Sequence, residues 1–230
     1  MRPPLRAAAV LAVALTTTLV TTLLTGCGSG DDWSGEHPAP SALGTLGPGF
    51  TDPSAPPTPE ATVTPRPGSW DGVHPSKNYR VVLLTEGDDK PTKALVKAVK
   101  DWAGAEDADL RTVVPDSPSD LIPAITRAMD MKPDLIVGAG NALIDPLMTV
   151  TPNHLAQHFL VIGAELPEPT HNVTAVNWTG ASFRGEGLDT SSRYDEGSFT
   201  PERCAAAIRA GVAAVLTDVT GIVISLDAMA

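Results

Sequence analysis

Cysteine is nearly absent: the 230-residue chain has two, Cys27 and Cys204, which excludes a disulfide-stapled mini-fold and a four-cysteine zinc site. Aromatic residues make up only 4%, so no stacking platform for single-stranded nucleic acid is expected. Positive charge is short too, with 16 Lys and Arg against 27 Asp and Glu, a formal charge of −11. Nucleic-acid polymers demand clustered cations to displace phosphate counterions, and that partner class is excluded. Neither a Gly-x-Ser-x-Gly elbow nor a phosphate-binding loop occurs. No cofactor is expected.

What is there begins at the amino terminus. Arg2 and Arg6 precede the apolar run Ala7–Leu24, as in a secretory signal. Five threonines in that run make it a poor permanent membrane span. Next comes Leu24-Thr25-Gly26-Cys27, followed by Gly28-Ser29-Gly30. This resembles the lipobox of bacterial lipoproteins, in which the cysteine is lipidated on sulfur and becomes the first mature residue. The resemblance implies a signal peptide over residues 1–26, acyl chains of the palmitate type on Cys27, and a chain held on the extracytoplasmic face of the cell membrane.

Residues 27–78 read as a stalk. Ten of the 22 prolines fall here, in runs such as Pro53–Pro59 and Thr62–Pro67 that favour extended conformations. At about 3.1 Å per residue such a stalk holds a domain on the order of 100 Å from the bilayer. His37 and His74 are expected to be solvated in it, while Trp33 and Trp70 are out of place, Trp70 suiting the edge of the domain.

Residues 79–230 alternate between strand and helix patterns. Aliphatic runs at Arg80–Thr85, Leu110–Val114, Leu135–Gly138, Phe159–Gly163, Val173–Asn177 and Gly221–Leu226 suit strands covered on both faces. Helical stripes lie between them. Leu95, Val96, Val99, Trp102 and Ala103 mark one over Pro91–Ala105. A second, capped by Ser117, carries Leu121, Ile122, Ile125 and Met129. A third, from Asn141, carries Leu143, Ile144, Leu147 and Met148. A short fourth starts at Thr151-Pro152 and carries Leu155, and the longest runs from Thr200, its cap, to Leu216. The order predicts an α/β fold with a doubly wound, mainly parallel sheet. Functional groups then belong at the carboxyl ends of the strands, near the reversal in strand order.

Two loops there carry polar chemistry. Glu86, Asp88 and Asp89 follow the first strand and suit a polar solute or the start of a helix. Gly138, Gly140 and Asn141 follow the third and suit a tight turn presenting backbone N–H groups; with Leu143 in the place of a third glycine, the dinucleotide fingerprint is incomplete. His154 and His158 share i, i+4 spacing but have no evident third ligand, so no metal is expected. Cys204 has no evident activating base. Nothing reads as the active site of an enzyme.

Val81–Asp89, Lys132–Gly140 and Phe159–Val176 resemble the BMP-type (basic membrane protein) substrate-binding lipoproteins of ABC transporters. The carrying motifs are Thr85-Glu86, Asp88-Asp89-Lys90, Lys132–Gly138 and Asn172-Val173. Pro91-Thr92-Lys93 stands where that family has Ser-Phe-Asn. The resemblance implies one lobe of a type I periplasmic-binding fold, with flavodoxin-like strand order. It further implies a small polar, nucleoside-like ligand and an ABC permease as partner. The alternative is a surface-anchored interaction or sensor domain that kept the fold without transport.

Overall fold

The computed structural model describes Trp33, Gly35, residues 37–164, Leu166, residues 168–181 and residues 194–229. The signal peptide expected over residues 1–26 and the expected lipidation site Cys27 lie outside the described residues.

Three two-residue strands come first, β1 (Ala42–Leu43), β2 (Thr62–Val63) and β3 (His74–Pro75). The alternating part follows: β4 (Arg80–Thr85), α1 (Lys90–Ala105), β5 (Asp109–Val113), α2 (Leu121–Asp130), β6 (Leu135–Ala139), α3 (Ile144–Val150), β7 (His158–Ile162), β8 (Val173–Asn177), α4 (Pro201–Leu216) and β9 (Val223–Ser225). β1 and β3 form an antiparallel ribbon, and the other strands build one parallel sheet in the order β2-β9-β8-β7-β6-β4-β5.

The sheet is doubly wound because its aliphatic runs present both faces. Along β4, Val81 and Leu83 join the core beneath α1 and α4, whereas Val82 and Leu84 join the one beneath α2 and α3. Caps set the helix starts: the Asp89 carboxylate accepts from Thr92 N at 2.8 Å, and Thr200 Oγ1 accepts from Arg203 N at 3.2 Å. From β4 the chain steps outward to β5, crosses back to β6, then continues through β7, β8 and β9. The reversal therefore lies between β4 and β6.

The stalk expected to reach residue 78 is corrected. β2 adds to the sheet alongside β9, pairing Thr62 with Val223 and Val63 with Ile224. Phe50 and Trp70, each 2% exposed, sit in the core with Tyr79 and Trp102. Of the two histidines expected to be solvated, His37 is held, its Nε2 2.7 Å from Asp134 Oδ2, whereas His74 stays exposed with Nδ1 2.9 Å from Glu106 Oε2. Proline enforces extended backbone but does not forbid packing, and three buried aromatics, Trp33, Phe50 and Trp70, outweigh the local preference for solvent.

The helices depart from expectation in smaller ways. Ile122 and Met148 are exposed. A 3₁₀ turn over Asn141–Leu143 precedes α3. The expected fourth helix is only a 3₁₀ turn, Thr151–Asn153, because His158 is drawn into β7. His154 and His158 therefore share no helix face.

Candidate functional site

The carboxyl ends of β4, β6 and β7 converge at the reversal point around a hollow of about 40 Å³. Its floor is apolar, formed by Leu95, Ile162 and Ala164, and its polar rim includes Asp89 and Asn141. A cavity of about 10–15 Å³ already admits a water, so this one takes a small polar group.

Two glycines let the backbones approach. Gly140 has φ 132°, and a Cβ there would stand 2.4 Å from the Glu86 carbonyl oxygen, so the loops after β4 and β6 touch. Gly163 has φ 73°, and a Cβ there would meet Leu95 and Phe199 at 2.9 Å.

The sequence-derived residues divide. Asp89, Gly140 and Asn141 line the one hollow. Asp89 is also the α1 cap, with Oδ2 accepting from Thr92 Oγ1 at 2.8 Å. Glu86 contributes its backbone at the Gly140 contact, and its side chain is half-buried. Asp88 is fully exposed, 3.8 Å from Lys93, and belongs to a different, wider hollow of about 430 Å³ beside α1. Gly138 is corrected: it lies inside β6, where a Cβ would meet Leu147 Cδ1 at 3.0 Å. It serves the packing of α3.

Sequence reasoning missed an aromatic wall. Tyr194 and Phe199 line the hollow, their ring centroids 6.1 Å apart, and Phe199 meets Trp178 edge-on at 5.0 Å. Trp178 Nε1 donates to Ser198 Oγ at 2.9 Å, fixing that ring. Burial, then the negative charges of Asp89 and Glu196, hold the Tyr194 hydroxyl above its ordinary pKa, so it stays a neutral donor. These residues lie some 30–110 positions from the other lining groups, and no periodic signal links them.

A wider groove of about 680 Å³ runs between α1 and α4 and is mainly apolar. It lies on the helix side of the sheet, and the reversal point is favoured as the site because three strand-end loops bring polar groups together there. Among the described residues no group of three His, Cys, Asp or Glu side chains is placed to hold a metal, and no helix is long and apolar enough to cross a membrane. Cys204 is fully buried, and burial pushes its thiol up to about 11. It packs as a small apolar side chain at neutral pH.

No family model and no curated protein matches the chain. Solved structures similar to it include an ABC transporter system solute-binding protein from Aeropyrum pernix K1, at 21% identity and a TM-score of 0.40, covering 44% of this chain and 29% of that one. A fragment of a proposed lipoprotein from Peptoclostridium difficile 630 matches at 17% identity and a TM-score of 0.44, covering 63% and 100%. The periplasmic ribose ABC transporter from Conexibacter woesei DSM 14684 matches at 18% and 0.31, covering 65% and 54%. The chain thus spans less than two thirds of the two transporter proteins it matches.

Proposed function

We propose that the chain is an extracytoplasmic solute-binding lipoprotein, anchored through acylated Cys27 and serving an ABC importer. The observation that carries this reading is the hollow at the strand-order reversal, where a carboxylate, an amide and an aromatic ring converge over an apolar floor. Asp89 and Asn141 suit the hydroxyls or amines of a small polar solute. Tyr194 offers the flat face that Pro91-Thr92-Lys93 does not, which keeps a nucleoside-like ring among the ligands. The role proposed is binding rather than catalysis.

A second reading, a surface-anchored sensor or interaction domain without transport, draws on two observations. The hollow of about 40 Å³ is far below the roughly 300–1,000 Å³ of pockets that bury a drug-sized ligand. And β2 already occupies the sheet edge beside β9.

A thermal-shift screen of the full-length lipoprotein in detergent, against nucleosides, bases, sugars and amino acids, separates the two. Ligand at 100 times its Kd stabilises by about 2.7 kcal/mol, roughly 5–10 °C for a chain of this size. A shift with one class, lost in Asn141→Ala and Tyr194→Ala, supports binding at this hollow; one that survives both overturns the site. Silence from a cooperatively melting protein favours the second reading.

A further inference from the structure

Trp33 lies six positions after Cys27 and is locked at the amino-terminal end of the sheet. It is 5% exposed. Its indole Nε1 donates to the carboxylate of Asp109, the first residue of β5. Its carbonyl accepts from Arg80 Nη1 at 3.0 Å, Arg80 being the first residue of β4. The Arg111 guanidinium lies 4.2 Å from the ring centroid. Four residues on, His37 meets Asp134 at 2.7 Å, and the same carboxylate oxygen accepts from Arg80 N at 2.8 Å. The starts of β4 and β5 and the residue before β6 thus clamp the chain as it enters the domain. The candidate hollow sits at the opposite ends of those strands, about 20 Å away for the six residues of β4.

Chain length converts this placement into an orientation. Six residues span at most about 20 Å fully extended. A domain of roughly 200 residues has a radius of gyration near 16 Å and is about 40 Å across. Were the carboxyl ends of the strands turned to the bilayer, Trp33 would stand some 40 Å above it, twice the reach of the tether. We propose that the amino-terminal end of the sheet is the membrane-facing surface, held within about 20 Å of the lipid, and that the hollow at the reversal point opens away from the bilayer. The partner of this face is the lipid surface, and the inference rests on the anchoring half of the reading above. It replaces a stand-off of about 100 Å by one near 20 Å. A partner taking solute from the hollow must then reach over the domain.

The test places a dye at either end of the sheet in the full-length lipoprotein, through Lys77→Cys or Lys90→Cys, both exposed positions, with Cys204 too buried to label. Energy transfer to a headgroup-labelled phospholipid in reconstituted vesicles reports proximity. The expected result is several-fold greater transfer from position 77 than from position 90. That difference should collapse when about 20 Gly/Ser residues are inserted between Asp32 and Trp33. Equal transfer, or greater transfer from position 90, in protein whose mass confirms acylated Cys27 overturns the orientation. Protein recovered from membranes without acyl groups on Cys27 overturns the anchoring instead, and the orientation with it.

Discussion

Gly140 shows how closely one position governs the candidate site. Its φ of 132° and the 2.4 Å approach of a Cβ to the Glu86 carbonyl leave no room for a side chain. Gly140→Ala is expected to lose about 1–3 kcal/mol, read from the denaturant midpoint, as the loops after β4 and β6 move apart. His158 contributes to the pH response. Burial holds its pKa below the ordinary 6.5, nearby His171 lowers it further, and Asp218 opposes both. The folded state therefore takes up a proton less readily than the unfolded chain. The contribution of neutral His158 is complete above pH 6.5 and is lost as pH falls through the folded-state value. Urea midpoints at pH 7.5 and pH 5 should show the wild-type protein losing more stability on acidification than His158→Gln; equal losses would assign the response to other groups.

At the scale of elements, Asn172 ties the connection after α3 to the start of β8. Its side-chain Nδ2 donates to the carbonyls of Thr151, His154 and Gln157 at 3.2, 3.1 and 3.0 Å, and Oδ1 accepts from Thr170 Oγ1 at 2.6 Å. The Asn-Val pair noticed as part of a family resemblance is thus a structural clamp in this chain. Asn172→Ala is expected to cost about 1–3 kcal/mol through stranded buried carbonyls; a neutral result would mean that water replaces the amide without loss. The elements themselves were legible wherever one local rule decided. Aliphatic runs marked most of the strands from β4 to β9, and Thr200 announced α4 as a cap does. Boundaries slipped where two rules competed, as at His158, whose helical spacing with His154 lost to strand pairing beside Leu135. Asp89, Gly140 and Asn141 could be picked out because each stands at a strand end. Tyr194 and Phe199 could not, because tertiary packing alone brings them there. Gly138 stands at the end of the expected strand Leu135–Gly138, but β6 runs one residue further and the glycine serves packing against Leu147.

For the whole molecule, the decisive difference is between a stalk and an integral part of the domain. Trp70 is 2% exposed, so Trp70→Ala should destabilise the domain by about 3–5 kcal/mol, lowering Tm by roughly 10 °C. A free stalk would make the same change neutral, and a melting curve distinguishes them. The β2–β9 pairing also bears on how the chain acquires its structure. Thr62 meets Val223 across 161 positions of sequence, a contact whose loop-closure entropy must be met before it rewards the chain. Every residue from Thr62 to Val223 must emerge from the ribosome before β2 can pair with β9. Until then β9 is not yet in place, and β8, its neighbour in the sheet, presents unpaired backbone to any other nascent chain. A strand pair spanning so much sequence leaves the outer edge of the sheet open until β9 docks, so protection of that edge is gained late in folding.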